Sequence, residues 1–325
     1  RMSAAHSSRS SVPVRIAAPR LLRTGLVAFV LALSAVSLET TGAPADLVAS
    51  CSPGTTLELI ENRGQEETWE LLGRRLEEEP ECASLQRDWA LISLRTGRLA
   101  EARRRLLALA TSHPDTPAVF FGLGLNLLYD RSEPGAVGQS RTHLESARTL
   151  LSGQAGSENI PEHAICDGFC LLALSALAPG PEEQERMIGE SLARFEAGGS
   201  IAGRGLALKQ LAGLRQRQGQ VDAALRRAGE ALDSFQQEDT IGGAVLALHL
   251  IGNAHYRRGE VEEAEQQYHR SLELAEAQED DQSRLRNMVA LALLCRTTDP
   301  DAALKWFDQS IPVARQLGMA DMLLY

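Results

Sequence analysis

The sequence predicts an all-α fold, a right-handed α-solenoid of stacked helical hairpins. Three observations support it: apolar residues recur at helical spacing, no convincing strand pattern appears, and the apolar residues are mainly Ala and Leu, with only 4% aromatics. The segment 244–278 shows the hairpin most clearly. Leu248, Ile251 and His255 share one helical face, and a second amphipathic stretch follows Gly259, which can take the positive φ that ends a helix.

Small residues in this segment stand where two helices can approach closely. Gly252 and Ala264 are the small ones, and Leu248 and Tyr268 fill the space a turn away. This order resembles the tetratricopeptide repeat, whose signature is matched by Leu248, Ile251, Gly252, Ala264, Tyr268 and Ser271. The resemblance implies a stack of hairpins whose first helices line a concave wall, where this family receives a peptide or a partner helix.

Residues 1–45 are predicted to be a secretory leader. An apolar run at 25–38 follows several arginines and precedes Ala-Pro-Ala at 43–45. The run is shorter than the roughly 20 residues of a membrane span, so a cleaved leader is favoured over a permanent anchor. Two other interpretations stay open, a lipidated Cys51 and a cytoplasmic protein whose apolar start is misassigned. We expect an exported bacterial protein, periplasmic, in the cell envelope or secreted, attached to a membrane only through an uncleaved leader or a lipidated Cys51.

The N-terminal half is predicted to hold three hairpins. Residues 46–82 are expected to form a degenerate capping hairpin, because terminal repeats are usually atypical. Residues 83–151 are expected to form the second and third units, in which Trp89-Ala90 and Leu123-Gly124 stand at the Leu-Gly positions of the family signature. The polar, glycine-containing segment 152–161 is predicted to be a linker.

Residues 162–325 are predicted to hold four more units and the start of a further helix. The units start near residues 165, 205, 245 and 284, a period of about 40 that resembles the repeats of kinesin light chains. The last seven residues have the pattern of another helix. We therefore expect that the array is truncated here and continues beyond residue 325.

One cluster of metal-ligand types stands out. His163, Cys166 and Cys170 are spaced i, i+3 and i+7, so one helical face could present an imidazole and two thiolates to a metal. No fourth ligand is evident, and the same spacing marks a buried helix face, where free cysteine behaves as a small apolar residue. Cys51 and Cys82 are predicted to pair as a disulfide if the chain is exported.

Signatures of catalysis are missing from the sequence. It contains no G-x-S-x-G, no phosphate-binding loop ending in Gly-Lys-Ser/Thr and no H-E-x-x-H. We therefore predict no catalytic residue and no cofactor within this segment.

Polar side chains at groove positions of the fifth and sixth units are the predicted partner site. The resemblance implies that Asn253 holds the ligand backbone with an amide that both donates and accepts. Co-chaperone repeats of this family bind the C-terminal carboxylate of a peptide with a set of residues that is incomplete here, since Gly213 stands where an asparagine is expected. We therefore expect the groove to bind an internal segment of the ligand. The alternative is that these polar side chains form a solvated edge of the stack and bind no partner. The predicted site consists of Lys209, Gln216, Arg217, His249, Asn253, Tyr256 and Arg257.

Charge narrows the kind of partner. With 33 basic and 43 acidic residues the net charge is −10, which disfavours nucleic acid and anionic lipid. The cationic side chains of the predicted site favour an acidic peptide or protein ligand. The first hypothesis is a protein-interaction scaffold. The alternative is the sensing N-terminal half of a longer bacterial enzyme or receptor, such as a caspase-like peptidase or a sensor kinase.

Overall fold

The computed structural model describes residues 65–317 apart from 96, 131, 133, 154–160 and 279, and this part of the chain consists of helices and their connections. The predicted all-α solenoid of stacked hairpins is confirmed. The predicted leader and Cys51 lie outside the described residues. In chain order the helices are α1 (Gln65–Glu78), α2 (Ala83–Arg95), α3 (Leu99–Ser112), α4 (Pro117–Tyr129), α5 (Ala136–Gly153), α6 (Pro161–Ser175), α7 (Pro181–Ala197), α8 (Ile201–Arg217), α9 (Val221–Gln237), α10 (Ile241–Arg258), α11 (Val261–Ala277), α12 (Asp281–Cys295) and α13 (Pro300–Gln316).

The turns between paired helices are built as the sequence indicates. Gly259 ends α10 in the left-handed region at φ 78°, and its N–H caps the carbonyls of His255 and Tyr256. Side-chain caps begin three of the later helices: Ser200 accepts from the Gly203 amide, Asp280 from the Ser283 amide and Asp299 from the Ala302 amide. Local residues therefore determine where these helices begin and end.

The first helices of the last four hairpins begin a few residues earlier than predicted, at 161, 201, 241 and 281. The early turns carry Gly203 and Gly243, which disfavour a helix by intrinsic propensity. Packing explains both glycines. A Cβ atom on Gly203 would lie 2.3 Å from the ring of Phe195, and one on Gly243 would lie 2.3 Å from the ring of Phe235. Each phenylalanine of a second helix thus packs directly against the backbone of the next first helix.

The first helices of successive hairpins form the inner wall of the stack. They contact one another at α2–α4, α6–α8, α8–α10 and α10–α12, whereas in the described part of the chain the second helices make no comparable contact. Elements that approach more closely lie on the shorter, concave side of a curved solenoid. The groove predicted from the sequence is therefore lined by these first helices.

The hydrophobic core continues past the predicted linker. One cluster of buried residues runs from Ala90 to Ala247 and includes Leu151 before the linker and Cys166 after it. Residues 154–160 of the linker lie outside the described part, and α4 makes no contact with α6 comparable to that between the other first helices described. None of the described helices combines the length and apolarity needed to span a bilayer.

A buried serine on the second helix fixes the seam of several hairpins. Ser140, Ser191 and Ser271 donate to the carbonyls of Gly124, Gly168 and Val245 at 2.7, 2.8 and 2.8 Å. Each hydroxyl satisfies its own hydrogen-bonding need inside an apolar seam, which a buried polar group requires. Ser271 is thus more than the small residue that the signature calls for.

Candidate functional site

A cavity of about 340 Å³, which we call the groove cavity, lies among the first helices α8, α10 and α12. Five of the seven predicted site residues line it. Tyr256 stands apart and is half exposed, and Arg257 instead donates to the backbone carbonyl of Gln216 at 3.0 Å. The lining residues are Ala176, Gln184, Lys209, Gln210, Gly213, Gln216, Arg217, Leu246, His249, Leu250, Asn253 and Arg286.

Equivalent positions on neighbouring helices supply part of the lining. Lys209 is the ninth residue of α8, and His249 is the ninth residue of α10, 40 residues later. The two helices run side by side in the stack, so the same register brings both side chains to one place. This is why the sequence pattern was sufficient to group them.

Two buried or partly buried cations dominate the electrostatics of the groove cavity. Lys209 is only 5% exposed, and burial, followed by repulsion from Arg286, lowers its pKa to about 8. Burial also lowers the pKa of Arg286, with Asp280 opposing that effect. Among the described residues neither cation makes a salt bridge, and no Asp or Glu lines the cavity.

His249 is held as a neutral acceptor. Burial lowers its pKa to about 4, so the ring is uncharged near pH 7. Asn287 donates through Nδ2 to the Ser283 carbonyl at 3.0 Å, which leaves Asn287 Oδ1 to accept from His249 Nδ1 at 2.9 Å. The proton of His249 therefore resides on Nδ1, and Nε2 remains a hydrogen-bond acceptor.

Amide side chains at the cavity are oriented by their neighbours. The Tyr268 hydroxyl donates to Asn253 Oδ1 at 2.7 Å, and Arg217 donates to Gln184 Oε1 at 3.1 Å. The carbonyl oxygen of each amide is thus engaged, and the NH₂ group is left to donate. For Asn253 this modifies the expected dual role, since its accepting oxygen already serves Tyr268.

Arg286 lines the cavity and is not among the site residues predicted from the sequence. It is the sixth residue of α12, and the sixth residues of α8 and α10 are Leu206 and Leu246. An arginine at a position where the two preceding hairpins carry a buried leucine was the available signal. The equivalence of these three positions is visible only with the helix starts at 201, 241 and 281, and the sequence pattern predicted those starts about four residues too late.

The residues His163, Cys166 and Cys170 share one face of α6, as predicted, and that face is buried. Both thiols are fully buried, and burial raises the pKa of Cys170, which disfavours the thiolate that a metal needs. In the described part of the chain no group of three His, Cys, Asp or Glu side chains is arranged to hold a metal ion. Cys82 is disulfide-bonded, and its predicted partner Cys51 lies outside the described residues.

A second cavity of about 420 Å³ lies between α5, α6 and α7, and we call it the linker cavity because Ser152, the first residue of the predicted linker, lines it. Arg148 and Arg194 line it, as does Asp167. Arg148 binds one oxygen of Asp167, and Arg194 Nε lies 2.9 Å from the other. The cations of the linker cavity are therefore compensated within the chain.

Comparison with known proteins identifies the repeat. Residues 244–316, which span α10 to α13, match the family model of the tetratricopeptide repeat. No curated protein matches the chain. Because the match covers less than a quarter of the chain, the fold of the remaining hairpins rests on the structure itself.

Solved structures share the fold at low sequence identity. The APC/C hetero-tetramer Cut9–Hcn1 matches with TM-score 0.60 and 16% identity, over 93% of this chain and 53% of that one. The Rap protein complexed with Competence and Sporulation Factor matches with TM-score 0.62 and 12% identity, over 86% and 80% of the two chains. NprR in complex with its cognate peptide NprX matches with TM-score 0.56 and 15% identity, over 84% and 80%. This chain thus spans about half the length of the Cut9–Hcn1 chain that it matches. The family match over residues 244–316 and the shared fold together support a tetratricopeptide-repeat protein.

Proposed function

We propose that this chain is a protein-interaction scaffold that binds a peptide or a partner protein in the concave groove of α8, α10 and α12. The observation that carries the proposal is the groove cavity, a concave site with apolar walls and several hydrogen-bonding groups free to meet a ligand. Among proteins of the same fold, NprR binds its cognate peptide NprX, which supports a peptide as the ligand.

An extended internal segment suits this groove better than a helix end or a nucleic acid. The NH₂ groups of Gln184 and Asn253 and the acceptor Nε2 of His249 complement the alternating carbonyl and N–H groups of a peptide backbone. The cationic lining favours acidic side chains in that segment.

The test is a selection of displayed linear peptides on the purified chain, followed by calorimetry of the selected peptide. The double variant Asn253→Ala with Lys209→Ala should bind at least tenfold more weakly, because polar contacts in a desolvated interface are worth about 1–3 kcal/mol. Gln266→Ala on the exposed side of α11 is the control and should bind as the wild type does. Unchanged affinity in the double variant would place the site elsewhere.

Export from a bacterial cell, kinesin-light-chain-type repeats and the role of a sensing half within a longer enzyme or receptor stay predictions. Determining whether the reading frame continues beyond residue 325, and what it would encode there, decides the last of them.

A further inference from the structure

We propose that Lys209 is a site of covalent modification, at which dissolved carbon dioxide reversibly forms a carbamate that the guanidinium group of Arg286 stabilises. Lys209 lies on α8 and Arg286 on α12, and both side chains line the groove cavity. The modification goes beyond the proposed scaffold function, because it needs no peptide or partner protein.

The amine of Lys209 lies in a partly apolar cavity. The chain contains two lysines, and Lys209 is 5% exposed whereas Lys305 lies on the exposed side of α13. Leu246 and Leu250 line the groove cavity together with Lys209, and its volume is about 340 Å³. Carbon dioxide is small and has no net dipole, so a cavity of this size and lining admits it.

The protonation of Lys209 makes it a nucleophile near neutral pH. An amine attacks carbon dioxide only in its uncharged form, because its nitrogen must supply a lone pair. Burial, followed by repulsion from Arg286, lowers the pKa of Lys209 to about 8. At pH 7.5 a lysine with this pKa is about one-quarter uncharged, whereas a lysine at the ordinary value of 10.5 is about 0.1% uncharged.

The other charged groups around the cavity keep Lys209 as the group that releases its proton. Arg217 and Arg286 line the cavity as cations, His249 is neutral above its pKa of about 4, and the lining residues from α6 and α7 carry no charge. Asp280, which caps the start of α12, lies outside the lining and favours the charged form of Arg286. Arg286 therefore stays cationic beside an amine that is partly neutral.

The charge of the product distinguishes carbon dioxide from other electrophiles. An aldehyde converts an amine to an imine, which is a cation when protonated, and an acyl donor converts it to a neutral amide. A carbamate is an anion, so the repulsion between Lys209 and Arg286 becomes an attraction. The NH₂ groups of Gln184 and Asn253, whose carbonyl oxygens are engaged elsewhere, add hydrogen-bond donors for that anion.

The reaction balances with carbon dioxide as the only co-reactant. The lone pair on Nζ of neutral Lys209 forms a bond to the carbon atom, and the electron pair of one C–O π bond moves onto its oxygen. The nitrogen then releases one proton to water, which leaves a side chain ending in NH–COO⁻, and no atom is oxidised or reduced. Nε2 of neutral His249, an acceptor in the same cavity, complements the N–H that the carbamate retains.

The experiment is ¹³C NMR of the whole chain equilibrated with ¹³C-labelled carbon dioxide at a fixed partial pressure. The α-amino group of the chain can form a carbamate in the same way, so the signal of Lys209 is the one that Lys209→Met removes. Lys305→Met is the matched control. As a second measurement, triethyloxonium converts carbamates to stable esters, and peptide mass spectrometry assigns each ester to Lys209 or Lys305.

We expect a carbamate resonance that disappears in Lys209→Met and persists in Lys305→Met, with the ester on Lys209. Arg286→Gln should lower its occupancy roughly fivefold or more, because it removes the counter-ion and also lets Lys209 hold its proton more tightly. Arg286→Lys should restore part of the occupancy, and Arg226→Gln on the exposed side of α9 should change nothing. At fixed partial pressure the occupancy should rise from pH 6.5 to 8, since the neutral amine reacts and a proton is released.

Identical spectra of the wild type and Lys209→Met, or esters divided equally between the two lysines, would overturn the inference. Wild-type occupancy in Arg286→Gln would also overturn it, because Arg286 would then not stabilise the carbamate. The carbamate and the scaffold function fail separately. Absence of the resonance leaves peptide binding untouched, and a failed peptide selection leaves the resonance untouched.

Discussion

The linker cavity and the groove cavity are both lined by two or more cations, and they differ in what neutralises those cations. In the linker cavity each oxygen of Asp167 is bound by an arginine, Arg148 on one side and Arg194 on the other. In the groove cavity Lys209 and Arg286 have no carboxylate among the described lining residues. The linker cavity therefore carries its own counter-ion within the lining, whereas the described carboxylate that acts on Arg286, Asp280, lies outside the lining of the groove cavity.

The difference shows how one repeated fold can separate stability from recognition. Paired charges such as those of Asp167 hold neighbouring helices together, whereas an uncompensated buried cation costs stability in the free protein and gains it back on binding. Substitutions in the two cavities should accordingly change the free energy of unfolding in opposite directions.

The largest effect should come from the seam that supports the groove cavity. Ala264 is fully buried in a cluster with Tyr268, so Ala264→Leu should overpack the contact between α10 and α11 and lower the free energy of unfolding by about 3 kcal/mol. Urea unfolding measures this. Gln266→Leu, on the exposed face of α11, should change it little. If Ala264→Leu unfolded at the wild-type midpoint, the close packing described for this hairpin would be wrong.

The second prediction concerns the carboxylate that neutralises the two arginines of the linker cavity. Asp167→Asn leaves two arginines without their shared carboxylate and should destabilise the chain by about 2 kcal/mol, because hydrogen bonds to charged groups are worth about that much. The variant should also become more sensitive to added sulfate, which could replace the lost charge. Glu230→Gln, which removes a surface carboxylate paired with Arg227, is the matched control and should have little effect.

The third prediction removes the uncompensated charge of the groove cavity. Lys209→Met should raise the free energy of unfolding at pH 7 by about 1–2 kcal/mol, since a buried lysine with a lowered pKa is costly to keep charged. Destabilisation by this substitution would show that Lys209 is already compensated.

The pH dependence of the free energy of unfolding tests independently whether charged Lys209 destabilises the folded chain. Between pH 8 and 10.5 the unfolded chain still holds a proton on Lys209 that the folded chain has released. Stability therefore rises with pH in that window for the wild type, and Lys209→Met should lose this contribution. Chemical denaturation at pH 7, 8 and 9.5 distinguishes the two chains.

The smallest effect concerns the orientation of Asn253. Tyr268→Phe deletes the donor to Asn253 Oδ1 and should cost about 1 kcal/mol of stability, the typical net worth of one hydrogen bond. Because the amide of Asn253 is then free to turn, binding of a selected peptide should weaken as well. Gln266→Ala, on the exposed face of α11, should alter neither the stability nor the affinity.

The sequence was most informative where structure is decided locally. The hairpin α10–α11 could be predicted because Gly259 ends one helix and the spacing of Gly252, Ala264 and Tyr268 marks the contact between the two. The helix starts were harder, because Gly203 and Gly243 disfavour helix when considered alone and make sense only against the rings of Phe195 and Phe235.

Part of the candidate site could be predicted from the sequence for the same reason. Lys209, His249 and Asn253 could be grouped through their repeat positions, which need only the period of the sequence. Arg286 was missed because its equivalence to Leu206 and Leu246 is visible only when the helices are taken to start at 201, 241 and 281. The protonation states of Lys209 and His249 depend on burial produced by three hairpins together, and no local pattern encodes that burial.

Lys209 and His249 occupy equivalent positions on neighbouring helices, and this arrangement also predicts a spacing along the bound peptide. Packed helices are spaced about 8–10 Å apart, and an extended peptide advances about 3.3 Å per residue. A peptide that crosses α8 and α10 therefore passes one hairpin with about every third residue. We expect the selected peptides to show similar residue preferences at every third position, with the acidic residue at one fixed position of that three-residue repeat.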